Sequence, residues 1–296
     1  MSASPCFGIF WGLAEEIVYS SNGSYYCDII SQLLWDMKPV YYYGMDINLS
    51  PAEEWRQRGF FSFLSLKHGI PRPCGKMEDL DWLSYENSAL THYSSHENYI
   101  DEILLIDAFA GYVFPIKSMF KIKAGIAFSY THISFTGIDG YGIYAQSSSG
   151  GHYNPINDSP DLKKFSGKVI SYSQDWLVLS GGLSFGVKFL NYLYFETGIN
   201  ISPLIACIDV DFHVLKKKQF TDALFGGFYY EPQAGLFFTI NKWINVSMNM
   251  AYRSIKGTRG KAYMRTIGID DYFNETGEAG AGMYLLNASI LANIKF

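Results

Sequence analysis

The closing stretch Tyr284-Leu285-Leu286-Asn287-Ala288-Ser289-Ile290-Leu291-Ala292-Asn293-Ile294-Lys295-Phe296 decides how this chain folds. Successive side chains of an extended strand point to opposite faces. One face then carries Tyr284, Leu286, Ala288, Ile290, Ala292, Ile294 and Phe296. The other carries Leu285, Asn287, Ser289, Leu291, Asn293 and Lys295. The pattern runs well beyond the roughly five or six residues of an ordinary strand. It fits a strand with lipid on one side and a polar interior on the other.

Two earlier stretches read the same way. Ile244, Val246, Met248, Met250 and Tyr252 alternate with Asn245, Ser247, Asn249, Ala251 and Arg253. Phe120, Ile122, Ala124, Ile126 and Phe128 alternate with Lys121, Lys123, Gly125, Ala127 and Ser129. The composition agrees. Aromatics reach 17%, with 23 Tyr and 22 Phe, while charged residues are 17%, below the roughly 25% of soluble domains. No apolar run approaches the about 18 residues that mark a transmembrane helix. The expected class is therefore all-β: one ten-stranded antiparallel transmembrane β-barrel with long extracellular loops, a single domain over residues 1–296.

Working outward, strands are expected at about residues 6–19, 25–49, 55–66, 99–114, 120–135, 168–189, 192–213, 224–240, 244–256 and 281–296. Short turns follow strands two, four, six and eight, at Pro51-Ala52-Glu53-Glu54, Pro115-Ile116-Lys117-Ser118, Asn191 and Asn241-Lys242. Ser20-Ser21-Asn22-Gly23 links the first two strands. Long connections span about residues 67–98, 136–167 and 257–280. Bacterial outer-membrane barrels keep short turns on the periplasmic side and long loops outside. In the seventh strand the apolar parity slips between Phe195, Ile199, Ile201 and Leu204, Ala206, Ile208, Val210. That slip predicts a β-bulge at Pro203, which has no ladder donor. There is no internal repeat and no linker.

A net charge of −5 without a broad basic patch argues against nucleic acid as a partner. Cys6, Cys27, Cys74 and Cys207 are scattered, with no CxxC and no zinc-ligand spacing. Met-Ser-Ala-Ser-Pro opens the chain without a charged or sustained apolar leader. Either a signal peptide has been removed and a start Met added, or the chain is not secreted; the strands favour the first.

The chemistry concentrates in two ribbons. In Ile208-Asp209-Val210-Asp211-Phe212-His213, Asp209, Asp211 and His213 share one face and the apolar residues share the other. In Glu78-Asp79-Leu80-Asp81-Trp82, Asp79 and Asp81 share a face. Strand count and loop length put both ribbons, and Glu16, at the outer end of the barrel, where they can meet across its mouth. Taken alone, an Asp-x-Asp is usually a turn or a solvated edge, and an Asp-x-His is usually structural. Such a set of carboxylates and imidazole also suits a metal ion. The expectation is that no metal and no cofactor is used. Lys216-Lys217-Lys218 reads as a solvated loop run.

Met77-Glu78-Asp79-Leu80-Asp81-Trp82, Asp211-Phe212-His213 and Glu16-Ile17-Val18-Tyr19, with Ser31-Gln32-Leu33, Ser134-Phe135-Thr136 and Tyr172-x-Gln174 in order, resemble the omptin family of outer-membrane endoproteases over essentially the whole chain. The resemblance implies water-mediated peptide hydrolysis by Asp79, Asp81, Asp211 and His213. It implies a pocket of Glu16 and Asp209 for Arg or Lys before the cut, with Met77 and Ile170 flanking the cleft. His92 falls where the family tends to have an acid near the pocket after the cut. The family's lipopolysaccharide-binding arginines fall on His132 and Asp175, and its glutamate on Tyr130, so that lipid requirement is not carried over. The implied partners are peptides or proteins with basic residues and membrane lipid, with the site facing the cell exterior. The alternative is a catalytically silent barrel acting as an adhesin or porin.

Overall fold

The computed structural model describes residues 2–20, 23, 25–49, 58–147, 153–156, 160–241 and 243–295. Its elements are all strands: β1 (Ser2–Tyr19), β2 (Ile29–Leu49), β3 (Gly59–Gly69), β4 (Arg72–Asp81), β5 (His92–Ile116), β6 (Phe120–Ala145), β7 (Pro160–Lys164), β8 (Lys168–Leu190), β9 (Leu193–His213), β10 (Lys218–Phe225), β11 (Phe228–Thr239), β12 (Ile244–Lys256), β13 (Arg259–Thr266) and β14 (Asn274–Lys295). Every pairing is antiparallel, and β1 pairs with β14, which closes the sheet.

Three staves of the barrel are each broken in two: β3 with β4, β10 with β11, and β12 with β13. Counted as one stave each, and with β7 as an excursion on β6, they leave a ring of ten. The expected barrel is the observed one. The closing strand has the expected faces, with Leu286, Ile290 and Ile294 exposed and Leu285, Asn287, Ser289 and Leu291 buried. Other exposed apolar side chains, among them Trp11, Tyr43, Leu66, Phe128, Leu177, Leu204, Phe225 and Met248, extend this belt around the outer wall. Tyr130 pairs with Leu177 and His132 with Asp175 one step along β6 and β8, and the acidic stretch of β9 begins next to that level.

The strands run further than expected at the end with the long connections. The segment read as a loop at residues 67–98 is mostly strand, and it corrects the placement of Asp79 and Asp81. Both sit on β4, opposite Leu33 and Ser31 of β2 and Ser94 and His92 of β5. Pro71, Pro73 and Gly75 mimic a loop in sequence because the prolines lack ladder donors. The ladder breaks there and resumes. The break leaves backbone acceptors on β2 without strand partners, and other donors meet them: Ile70 N–H donates to Tyr41 O at 2.7 Å, and Asn98 Nδ2 donates to Asp36 O at 2.8 Å. Likewise β6 runs to Ala145, and only residues 267–273 separate β13 from β14.

The predicted bulge is present. Leu179 and Gly181 of β8 face Leu204 and Ile201 of β9, so β9 holds an extra residue between them. Ser202 Oγ bridges the gap, donating to Leu179 O at 2.5 Å and accepting from Leu204 N–H at 2.7 Å. The turn expected at Pro51-Ala52-Glu53-Glu54, the start of the third strand at residues 55–57, Ser21, Asn22, Lys242 and the terminal Phe296 lie outside the described residues.

Below the mouth the interior is filled. Trp35 stacks with Phe135 and with Tyr172, each at 5.4 Å between ring centroids. Lower still, the buried Arg253 guanidinium donates to Glu231, to Thr131 Oγ1 at 2.7 Å and to Asp107 at 2.7 Å. Beneath this cluster lies a cavity of about 370 Å³, lined by Lys67, Lys121, Glu196, Asn245 and Ser289 among others.

Candidate active site

Two strand ends face each other across one mouth of the barrel. On β9, His213 Nε2 lies 2.7 Å from Asp211 Oδ2. The Asp211 side chain is 3% exposed and that of His213 is 23%. The carboxylate is thus anchored in the wall and the imidazole reaches the gap. Phe220 packs edge-on against the imidazole at 5.5 Å. It lies directly opposite Asp211 in the β9–β10 ladder.

On β4, alternation puts Met77, Asp79 and Asp81 on the inner face. Met77 is buried opposite Trp35 and His96. Ser31 Oγ donates to Asp79 Oδ1 at 3.4 Å. Burial pushes the Asp79 carboxyl well above the usual carboxylate range. The Asp81 charge adds to the rise, Lys216 opposes it, and Asp211 adds again from the far side of the mouth. Burial also raises Asp81, against the Ser31 hydroxyl and the opposing pull of Lys216 and the nearby imidazoles. Two neighbouring, part-buried carboxyl groups resist ionising together, since a second negative charge beside the first is costly. The structure therefore brings Asp79, Asp81, Asp211 and His213 within electrostatic reach of one another.

Beneath them lies a second acidic layer. Glu16, on the inner face of β1, and Asp209 on β9 are both buried. Tyr172 O–H donates to Asp209 Oδ2 at 3.0 Å, and Gln174 Nε2 donates to the Tyr172 oxygen at 2.8 Å. Trp176 in turn donates to Gln174 Oε1 at 2.9 Å. This chain of donors fixes the floor of the pocket. Burial pushes the Glu16 carboxyl well up, and the charges of Asp211, Asp209, Asp222 and Asp79 add to it.

Ile170 is buried at the end of β8, directly opposite His213. His92 is the cross-strand partner of Asp81. Its ring packs edge-on against Tyr144 at 5.3 Å and Tyr153 at 4.7 Å, and burial lowers its pKa despite Asp81. A neutral imidazole thus stands beside the acid pair near neutral pH.

A family model, the omptin family, matches residues 1–296 of this chain. The chain belongs to the omptin family. It is 25% identical over 302 aligned residues to the plasminogen activator of Yersinia pestis, covering 98% of this chain and 86% of that protein. In three dimensions it resembles the outer-membrane protease OmpT of Escherichia coli, with a TM-score of 0.85 and 17% identity, covering 100% of this chain and 96% of the other. As an omptin it is an outer-membrane β-barrel protease.

Some groups of this omptin's mouth escaped the sequence reading. Asp222 lies directly opposite Asp209, on β10. It was missed because the eighth stave was expected to begin near residue 224, two residues short. Carrying the alternation Leu224, Asp222, Phe220 upward would have placed it inside. Lys216, read as a solvated loop charge, is indeed exposed, yet its charge is felt by Asp79, Asp81 and His92. No alternation pattern reaches a residue in a four-residue turn.

Proposed function

We propose that this omptin is an endopeptidase that cuts after Arg or Lys by direct attack of a water, with its site facing the cell exterior and residues 1–296 acting as one domain. The observation that carries the reading is the Asp211–His213 contact on β9, set across one mouth from the Asp79–Asp81 pair on β4.

In this reading Asp211 accepts the Nε2–H of His213. It fixes the tautomer and stabilises the imidazolium that forms. Nδ1 then carries the lone pair that takes a proton from the attacking water. The Asp79–Asp81 pair holds that water and supplies the second proton, toward the leaving amine. No covalent enzyme intermediate and no metal is involved, so a chelator leaves the rate unchanged. Glu16 and Asp209 receive the cationic side chain before the cut, while Met77 and Ile170 border the cleft. His92 lines the pocket after the cut, where a neutral imidazole gives no reason for a basic preference.

The lipid dependence also differs in this proposal. On the outer wall, Tyr130 O–H donates to Asp175 Oδ1 at 2.6 Å, and His132 Nδ1 lies 2.9 Å from the same oxygen. A half-exposed carboxylate at that position repels a lipid phosphate, so activity does not require lipopolysaccharide.

The test is a peptide with one central Arg, incubated with refolded protein in detergent without lipopolysaccharide, the products read by mass. Wild type cleaves after the Arg. Asp79→Asn and His213→Ala each lower kcat by about 10²–10⁴. A wild type that leaves the peptide intact overturns the proposed activity, and cleavage that survives both substitutions overturns the mechanism. Ion conduction through a peptide-inert wild type would favour the porin instead.

A further inference from the structure

On β10 the buried face carries Asp222 and Leu224. Asp222 is 2% exposed and lies directly opposite Asp209, itself 1% exposed. Its neighbour on the other side, across the β10–β13 ladder, is Ala262, which offers no side-chain donor. Asp222 Oδ1 and Glu16 Oε2 are both buried without a hydrogen-bond partner among the described residues. The Tyr172 hydroxyl donates to Asp209 Oδ2, and among the described residues no donor meets the other two oxygens.

Two facing acids could simply share a proton and fill the wall. A serine or an alanine would fill it without leaving a buried acceptor unmet, which costs about 1–3 kcal/mol. Orphaned acceptors on two sides of one pocket are instead what a ligand with several donors meets. An ammonium has three N–H groups on one compact centre and is served by two carboxylates. A guanidinium has five in a planar fork, and a third carboxylate meets its second edge.

We infer that Asp222 forms a third wall of the pocket for the side chain before the cut and selects arginine over lysine there. The inference rests on Glu16 and Asp209 being that pocket. Asp222 touches the substrate's cation and takes no part in the bond cleavage.

Two peptides identical except for Arg or Lys before the cut are assayed with full-length protein, as wild type and as Asp222→Asn and Asp222→Glu. In the Asn variant kcat/KM for the Arg peptide falls about tenfold or more, chiefly through KM, and the Lys peptide loses distinctly less. The Glu variant restores part of the Arg preference. On wild type, butylguanidinium competes better than butylammonium, and the two converge in the Asn variant. The butylguanidinium comparison needs no folded variant. An Arg-to-Lys ratio unchanged by Asp222→Asn, or equal competition by the two cations on wild type, overturns the role of Asp222 alone. A wild type that cuts but ignores basic residues overturns the pocket reading and this inference together.

Discussion

Asp222 carries more than selectivity. Burial lifts its carboxyl to about 7, and the charge of Asp211 pushes the same way. An unfolded chain would release that proton near pH ~3.9. Below about pH 4 both states hold the proton and the group is neutral toward stability. Between about 4 and 7 the unfolded state has lost it and the folded state keeps it, so folding becomes progressively less favourable as pH rises. Asp222→Asn removes this penalty. In detergent its thermal midpoint should exceed that of wild type at pH 8, and the gap should close toward pH 4. An equal gap at both ends would mean that the carboxyl ionises in the folded protein as it does in water. His213 has the opposite design: its imidazole reaches solvent while its partner carboxylate is buried, so the wall positions the ring without sealing it.

At the scale of elements, alternation carried the reading and proline misled it. Strands with one lipid face and one polar face show themselves in sequence, and the bulge at Pro203 showed itself as a parity slip. The acid pair at Asp79 and Asp81 had the right face but the wrong element, because Pro71, Pro73 and Gly75 imitate a loop where the wall merely changes partner stretches on β2. Gly75 is where that change is tightest. Its φ is +120°, and a Cβ there would lie 2.6 Å from the Asp36 Cβ. Lys76 N–H also donates to Asp36 Oδ2, at 3.3 Å, so the neighbour is not free to move aside. Gly75→Ala should destabilise the protein by about 1–3 kcal/mol and should lower kcat by shifting the strand that holds the acid pair. Full activity with an unchanged melting curve would show that β4 absorbs the strain. Asp222 and Lys216 stayed hidden for a different reason, since hairpins at the rim lie beyond the lipid belt, where the apolar half of the pattern fades.

The whole molecule is a cylinder with a polar, closed interior. The Arg253 cluster stands between the acidic mouth and the 370 Å³ cavity below it. Arg253 is 4% exposed and holds both Asp107 and Glu231. Arg253→Met leaves the buried Glu231 and the part-buried Asp107 without their cation and should cost about 3–5 kcal/mol of stability. Converting both acids to their amides in the same chain should recover much of it, as denaturation midpoints would show. If Arg253→Met alone melts like wild type, the cluster is not what holds the interior together. The ten-stave closure and the lipid face could be read from period and loop length. The packing of the lumen could not, because which buried polar groups meet depends on barrel register, and register is set by pairings far apart along the chain.

The acid couples sit on β4 and β9, and in the ring β5, β6 and β8 stand between them on one side. Neither couple can find the other in an open sheet. On the proposed mechanism, a newly exported chain is therefore harmless to the compartment it crosses and acquires its cutting power only when its first and last strands zip together in the bilayer. Assembly itself is the activation step.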